Sequence, residues 1–249
     1  MSRILSLLLL SQLMASLLLF PGTVRAAETL RVAVAANFKP TLEVLAEKFS
    51  EETSTAVDIS LGSTGALYAQ IRNGAPFHIF FAADAERPQR LEDEGYSRRR
   101  QAYALGQLVF WRPGPSNVDR RSVTTDLVLA IANPRHAPSG NAANSVLKNL
   151  NITPRQLVQG NNVAQAYAFV ATGNAPAGFV SLAQVKAKSV TPASYWLVPQ
   201  HLHAPIRQEL IVLKSAPANA DELVDYVIAA ADELNHAGYL VPAHPGEPE

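Results

Sequence analysis

One stretch of the chain, residues 30–63, constrains the fold more than any other. It opens with an apolar run over residues 30–36 and closes with a second over residues 57–61, and polar or small residues follow each run. Between the runs, apolar side chains recur at the spacing of one helix face, namely Phe38, Leu42, Leu45, Ala46 and Phe49. This strand–helix–strand pattern predicts two parallel strands whose carboxyl ends lie at the same edge of a sheet.

Two polar residues, Asn37 and Ser63, follow these strands, and each stands just before a helical segment. Both residue types are good helix N-caps. A helix N-terminus carries unpaired N–H groups and a partial positive charge, so it holds an anion without help from Lys or Arg. The shared edge is therefore a candidate oxoanion site. From spacing alone, a role as simple helix caps is the competing interpretation.

The N-terminus predicts a secretory signal peptide over residues 1–27. Arg3 precedes an apolar run over residues 4–20, and small residues suited to cleavage lie near Ala26 and Ala27. The apolar run is short for a bilayer span, although an uncleaved N-terminal anchor is the alternative. We expect a soluble periplasmic protein.

Charge and composition exclude several classes of function. The whole chain has 21 basic and 21 acidic residues; loss of Arg3 and Arg25 with the signal leaves 19 against 21, a net charge of −2. This net charge lacks the excess of basic residues that is typical of a nucleic-acid-binding protein. The chain has no cysteine, which excludes a disulfide framework and thiolate chemistry. With 48% hydrophobic residues it is able to build an ordinary core.

The middle of the chain continues the α/β alternation. The predicted elements are helix 64–73, strand 77–83, a helix capped by Asp84, and strand 102–111. We expect strand 102–111 to leave a first lobe and enter a second. The basic run Arg98, Arg99 and Arg100 is expected to be a solvated turn, because runs this short rarely mark a site.

A second α/β pattern follows the breaker at Pro113 and Gly114. Its predicted elements are strand 128–132, helix 141–150, helix 163–172, strand 177–180, helix 182–187 capped by Ser181, strands 195–199 and 210–213, and a closing helix 222–235 capped by Asp221. A short segment, to which no element is assigned, begins at Thr153-Pro154 and extends to Gly160. A strand within residues 206–213 is expected to return the chain to the first lobe.

We call the polar or small residues that follow the predicted strands the polar stops. In their order and separation along the chain, these stops resemble those of the periplasmic molybdate-binding proteins of ABC importers. The motifs that carry the resemblance are Ala35-Ala36-Asn37, Gly62-Ser63-Thr64-Gly65, Gly74-Ala75-Pro76, Ala83-Asp84, Asn133-Pro134 with Ala137-Pro138-Ser139-Gly140, and Ala175-Pro176-Ala177-Gly178. The resemblance implies a two-lobed type II periplasmic binding protein fold, with each lobe a mainly parallel sheet flanked by helices and the ligand in the interlobe cleft. Lobe I is expected over residues 28–104 and 206–249, and lobe II over residues 105–205.

The resemblance also implies the ligand and the residues that hold it. The ligand is molybdate or tungstate, held by neutral donors, without a cofactor or direct metal ligands, and delivered to an inner-membrane ABC permease by a monomer. The implied ligand-binding residues are Asn37 with Ala36 beside it, Ser63, Ser139, the backbone of Val163, and Ser181. Asn37 replaces the usual Ser, Ser139 stands where Ala or Tyr occurs, and Ser181 is too short to replace the Tyr that many members have.

The chemistry of these residues agrees with an anion that only accepts hydrogen bonds. The stops offer amide, hydroxyl and backbone donors, and apart from Asp84, interpreted as a plain cap, none of them is acidic. A protonated phosphate would favour an acceptor for its own O–H. Sulfate has the charge pattern of molybdate but is smaller, so a sulfate-binding protein is the open alternative.

A metal site and a catalytic site have weaker support in the sequence than an oxoanion site. His201 and His203 would share one side of a strand, but the other histidines are scattered and a zinc site needs three or four ligands. The motif over residues 62–65 is not a nucleophile elbow, and no His or Lys stands at a matching stop. We therefore predict a protein that is not an enzyme, with an exported hydrolase as a distant alternative.

Overall fold

The computed structural model describes residues 29–114 and 117–241, so the predicted signal peptide lies outside the described residues. The strands are β1 Leu30–Ala35, β2 Val57–Gly62, β3 Ile79–Phe81, β4 Ser97–Gly106, β5 Leu108–Trp111, β6 Val128–Ala132, β7 Gln156–Gly160, β8 Ala177–Ser181, β9 Tyr195–Leu197 and β10 Ile206–Leu213. The α-helices are α1 Lys39–Thr53, α2 Thr64–Arg72, α3 Glu86–Asp93, α4 Pro138–Asn149, α5 Val163–Ala171, α6 Leu182–Ala187, α7 Asn219–Ala229 and α8 Ala231–Ala237. None of these described helices is both long and apolar enough to cross a membrane.

The strands form two five-stranded sheets with the same arrangement of parallel and antiparallel neighbours. The first has the order β2-β1-β3-β10-β4 and the second the order β7-β6-β8-β5-β9. In the first sheet β1 pairs in parallel with β2 and β3, whereas β10 runs antiparallel to both of its neighbours. In the second sheet β6 pairs in parallel with β7 and β8, and β5 is the antiparallel strand. The structure confirms the predicted α/β architecture of two mainly parallel sheets flanked by helices.

The strand–helix–strand unit at the start of the chain forms as predicted. β1 and β2 pair in parallel from Leu30 opposite Val57 to Ala35 opposite Gly62. The helix between them, α1, buries the apolar face expected from its spacing, consisting of Leu42, Leu45, Ala46 and Phe49. Burial of this face removes the helix's apolar stripe from water, which is what holds an amphipathic helix on a sheet.

Two short crossings connect the sheets. β4 ends at Gly106 and β5 starts at Leu108, so the predicted single strand 102–111 is broken at Gln107. Leu108 pairs with Ser181 at the carboxyl end of β8, and Ile206, which begins β10, pairs with Gly106. Both crossings therefore join the carboxyl edges of the two sheets, and these edges face each other. The predicted lobe boundary between residues 104 and 105 falls inside β4.

The basic run at residues 98–100 is not a solvated turn, contrary to the prediction. It lies in β4, where ion pairs join Arg98 to Asp221, Arg99 to Asp225, and Arg100 to a buried carboxylate on β10, Glu209. These three partners are more than 100 residues away in the sequence, so the local charge pattern did not reveal them; Arg100 also pairs with Glu92, which is close in sequence.

Three other local predictions are also corrected. Asp221 does not cap the closing helix: α7 begins at Asn219, Asp221 lies in its first turn, and the helix breaks at Ala230. Residues 156–160, predicted only as part of a short segment, form an edge strand. His201 lies in a short 3-10 turn instead of a strand, so the expected alternation of His201 and His203 is lost.

Helix α4 starts earlier than predicted because a glycine lets it sit directly on the end of β6. A Cβ atom on Gly140 would lie 2.2 Å from the carbonyl oxygen of Ala132, the last residue of β6. Pro138 occupies the first turn, where its missing N–H costs nothing. Gly140 therefore fixes the N-terminus of α4 at the carboxyl edge of the second sheet.

Replacement of this glycine tests the close approach. In a free helix Gly→Ala is favourable by about 1 kcal/mol. We expect Gly140→Ala to lower the free energy of unfolding instead, by about 1–3 kcal/mol, because the new methyl group overlaps a backbone oxygen. Urea unfolding measures the change, with the exposed neighbour Asn141→Ala as a control that stays within about 0.5 kcal/mol. A Gly140→Ala protein as stable as wild type would contradict the proposed packing.

Candidate functional site

The predicted site residues lie at the two facing sheet edges, and short contacts link them. The Ala36 amide donates to the Gly62 carbonyl at 3.0 Å, which ties the end of β1 to the end of β2. Across the cleft, the Gly65 amide donates to the His136 carbonyl at 2.9 Å. Ala36 also belongs to an apolar cluster with Ala137 and Val163 of the second lobe. The structure therefore brings the stops of both lobes together.

Asn37 does not cap α1, so the competing interpretation of this residue as a simple helix cap fails. A turn in which Phe38 N donates to Ala35 O at 2.9 Å makes Phe38 the residue before α1, with no side-chain cap. The Asn37 amide instead turns inward, and its Nδ2 donates to Gln208 Oε1 at 2.9 Å. The backbone carbonyl of Asn37 accepts from the Tyr239 hydroxyl at 2.8 Å. Asn37 is thus a buried polar residue of the cleft edge, held by partners far along the chain.

Ser63 caps α2 as predicted. Its Oγ accepts from the Ala66 amide at 3.3 Å, and the Ser63 side chain is almost fully buried. A hydroxyl has one proton to donate in addition to its acceptor lone pairs. Since the cap uses only a lone pair, the Ser63 proton is left for an acceptor in the cleft.

The second lobe contributes two helix starts. Ser139 is half-buried in the first turn of α4, and its hydroxyl has no hydrogen-bond partner among the described residues. Val163 is the first residue of α5, which Asn162 caps by accepting from the Gln165 amide at 3.0 Å. The first amides of a helix have no partner within the helix. Both starts thus offer neutral donors and the positive end of a helix dipole.

Ser181 caps α6, as the local pattern predicted. Its Oγ accepts from the Gln184 amide at 3.3 Å and donates to Gln184 Oε1 at 3.1 Å. The Ser181 amide also faces Gln184 Oε1, at 3.4 Å. Both donors of Ser181 are therefore engaged within its own helix start.

One carboxylate, Asp84, lies at the cleft edge of the first lobe, and a cation neutralises it. The Asp84 carboxylate pairs with the Arg87 side chain and accepts from the Arg87 amide, although Ala85 occupies the position next to α3. Burial raises the pKa of Asp84, and the nearby Arg87 charge acts in the opposite direction. Arg87 also donates to the Arg135 carbonyl of the second lobe at 3.4 Å. The ion pair therefore adds little net negative charge and contributes a second contact between the lobes.

The contacts behind Asn37 were not predicted from the sequence. Gln208 lies on β10 with no exposed surface, between a Tyr103 hydroxyl at 2.8 Å and the Asn37 amide. Gln208 stands between Arg207 and Glu209 in the polar first half of β10, so nothing local distinguishes it as a buried group. Its partners come from β4 and from the end of β1, so sequence spacing did not identify them.

The site has no metal-binding character in the described part of the chain, where no cluster of three or more His, Cys, Asp or Glu side chains occurs. Two sheets whose carboxyl edges face each other across a cleft, linked by two crossings and lined by neutral donors, define a two-lobed solute-binding protein. The chain belongs to the bacterial extracellular solute-binding protein family, whose model matches residues 30–240. The sequence-based assignment to a binding-protein family, and not to an enzyme, is confirmed.

Two relatives and one solved structure show which members of the family this chain is similar to. The chain is 44% identical over 213 residues to the molybdate-binding protein ModA of Azotobacter vinelandii, covering 81% of this chain and 84% of the relative. It is 41% identical over 203 residues to ModA of Rhodobacter capsulatus, covering 78% and 80%. The solved structure of the Azotobacter vinelandii periplasmic molybdate-binding protein matches with a TM-score of 0.80 and 38% identity, covering 86% of this chain and 99% of that one.

Asn162 caps α5 and so stabilises the helix start that Val163 occupies at the site. We expect Asn162→Ala to lower the free energy of unfolding by about 0.5–2 kcal/mol, because the Gln165 amide loses its acceptor. Thermal or urea unfolding measures this loss. Asn161→Ala is the matched control, since Asn161 is joined to Gln165 through its backbone amide alone. Equal stability of the two variants would show that the cap does not hold this helix start.

Proposed function

We propose that this protein is the solute-binding component of an ABC importer and that it binds molybdate, and also tungstate, as its transported ligand. The observation that carries the proposal is the donor-only character of the two facing edges. Ser63 on the first lobe, and Ser139 and the Val163 amide on the second, are neutral donors, and the Asn37 NH₂ group, which donates to Gln208 in this structure, is a further neutral donor at the same edge. The molybdate-binding relatives, at 41% and 44% identity, support the choice of ligand.

Binding is proposed to act by stabilising the closed arrangement of the lobes. An anion that bridges donors from both edges interacts fully with them only when the cleft is closed, so it shifts the population toward the closed form. Gly65 with His136, and Arg87 with Arg135, are contacts between the lobes in this arrangement. Each hydrogen bond to a charged group contributes about 1.5–3 kcal/mol. Four such bonds are enough for a dissociation constant near or below about 1 μM.

The site is proposed to select its ligand by the direction of its hydrogen bonds and by size. A fully deprotonated tetrahedral dianion meets every donor with an acceptor. Hydrogen phosphate brings an O–H that needs an acceptor, and the carboxylate at the cleft edge, Asp84, is already paired with Arg87. Ser181 would add a donor only if its bonds with Gln184 opened, so we place it, with Ala36, in the wall of the site. Sulfate, the alternative ligand, shares the polarity of molybdate and differs in size.

The finer aspects of transport follow from the same proposal. We infer that residues 1–27 direct export to the periplasm, and that the mature protein acts as a monomer that docks on an inner-membrane permease. Residues 28–104 and 206–249 are proposed as lobe I and residues 105–205 as lobe II, with the hinge at the two crossings. The periplasmic designation of the Azotobacter vinelandii structure supports the location.

Calorimetric titration of the purified mature protein tests the ligand. We expect one-to-one binding of molybdate and tungstate with a dissociation constant near or below about 1 μM, because both dianions match the donor set. Sulfate should bind at least about tenfold more weakly, which corresponds to a loss of about 1.4 kcal/mol from its poorer fit to the cavity. Phosphate should bind weakly or not at all. Tight sulfate binding with weak molybdate binding would retain the oxoanion cleft and overturn the choice of ligand.

Removal of one hydroxyl tests the site. We expect Ser63→Ala to weaken molybdate binding by about tenfold or more, since one hydrogen bond to a charged ligand is lost. Ser50→Ala is the matched control, because the Ser50 hydroxyl bonds a backbone carbonyl within α1, away from the cleft. Titration of both variants, with thermal unfolding as a check on folding, gives the comparison. If Ser63→Ala bound molybdate as wild type does, the proposed site would be wrong.

A further inference from the structure

Behind Asn37 lies a buried polar network that the proposed binding role does not yet use. Gln208 Oε1 accepts from Asn37 Nδ2 at 2.9 Å and from the Tyr103 hydroxyl at 2.8 Å. Tyr239 donates to the Asn37 carbonyl at 2.8 Å. Gln208 is completely buried, and Tyr103 and Tyr239 are nearly so. Polar groups at this depth are costly unless they are satisfied, so their arrangement calls for a physical reason.

A β-bulge aims this network at the cleft edge. In the pairing of β10 with β4, Gln208 stands opposite Ala104 and Glu209 stands opposite Ala102, so Tyr103 is skipped. An extra residue of this kind bends the strand and redirects its side chain. The Tyr103 hydroxyl consequently reaches Gln208 across the strand pair. Both residues lie on the strands that enter and leave the interlobe crossings.

Counting protons shows that the network has two coupled arrangements. The single Tyr103 proton faces two acceptors, Gln208 Oε1 at 2.8 Å and the Ala82 carbonyl at 3.1 Å. Burial raises the pKa of the Tyr103 phenol well above its ordinary value, so the proton stays on the oxygen. Meanwhile the Gln208 Nε2 group is buried and has no partner among the described residues. An unpaired buried NH₂ group is more costly than an unpaired carbonyl oxygen.

Turning the two amides together resolves this imbalance. When Gln208 and Asn37 each exchange the places of their amide nitrogen and oxygen, Gln208 Nε2 donates to both Tyr103 Oη and Asn37 Oδ1. Tyr103 is then free to donate to Ala82. The Asn37 NH₂ group now points away from Gln208, and its carbonyl oxygen is satisfied inside the protein. Such exchanges are isosteric, so the distances between heavy atoms stay the same.

We propose that Gln208 is a positioning residue: with Tyr103 it sets the orientation of the Asn37 amide, and a bound oxoanion selects the orientation that presents the Asn37 NH₂ group to the cleft. This inference rests on the proposed function, in which Asn37 contacts the anion. The other orientation would leave Asn37 Oδ1 turned away from Gln208, toward an anion that offers acceptors alone, and two facing acceptors repel each other. Gln208 therefore acts on the ligand through Asn37, without touching the ligand itself.

A double-mutant cycle with molybdate as the titrant tests this indirect role. We expect Gln208→Met to weaken binding by about tenfold in the wild-type background, the loss of about one hydrogen bond to a charged group. In the Asn37→Ala background the same change should cost less than about twofold, because no amide remains to be oriented. The matched control is Gln101→Met, a half-buried glutamine on the same strand as Tyr103 that accepts from Arg99 and does not contact Asn37. It should bind molybdate as wild type does.

Two further measurements keep the test decisive. Tyr103→Phe removes one hydroxyl, and we expect it to weaken molybdate binding by a smaller factor than Gln208→Met does. Its effect should also shrink in the Asn37→Ala background. This variant replaces Gln208→Met in the cycle if Gln208→Met does not fold. In ¹⁵N NMR spectra, the side-chain NH₂ signals of Asn37 and Gln208, assigned by their loss in the variants, should both shift on addition of molybdate. A merely structural Gln208 would leave its own signal unmoved.

The outcomes separate this inference from the proposed function. If the wild-type protein does not bind molybdate, or if Asn37→Ala binds as wild type does, the proposed site fails. If Asn37→Ala binds weakly but Gln208→Met binds normally, the positioning role alone is overturned. The same conclusion follows if Gln208→Met weakens binding by an equal factor in both backgrounds.

Discussion

The facing of the two carboxyl sheet edges is the constraint on which the rest of this structure depends. It follows from the two crossings, because β4 passes into β5 through the single residue Gln107 and β10 returns beside β4. The crossing is fixed on both sides: Leu182 donates to the Gln107 carbonyl, and Leu105 and Leu240 exchange backbone hydrogen bonds. Every polar stop of a parallel strand is therefore placed between the lobes. A ligand at this position contacts both lobes by necessity.

Glycine at strand and helix ends allows the helix starts to approach this cleft. A Cβ on Gly140 would strike the end of β6, and a Cβ on Gly160 would lie 2.9 Å from the Ala166 amide of α5. These close approaches place helix N-termini directly over the strand ends, so their donors and dipoles act at short range. An anion held in this way needs no Lys or Arg. The dipoles are fixed by the fold, and their orientation costs nothing further on binding.

The sequence predicts what is local and fails where partners are remote. β6 and the buried face of α1 agree with the predictions, because a continuous apolar run and helical spacing are properties of short windows. The capping role of Ser63 also depends on neighbours within three residues. The inward contact of Asn37 was not predicted, because its partner, Gln208, is 171 residues away. The basic run in β4 was wrongly predicted for the same reason, since most of its carboxylate partners lie on β10 and α7.

The same distinction explains why the two stops of the first lobe need different amounts of support. A hydroxyl turns freely about its C–O bond, so one local bond to the Ala66 amide is enough to hold Ser63 Oγ and leave its proton available. An amide carries a donor at one end and an acceptor at the other, and the wrong end repels an oxoanion. In the proposed role of Asn37 as an anion ligand, its amide therefore requires a buried partner that discriminates between its two ends. In this chain an Asn at the first stop is accompanied by a buried glutamine and tyrosine, whereas Ser63 needs no more than the helix that follows it.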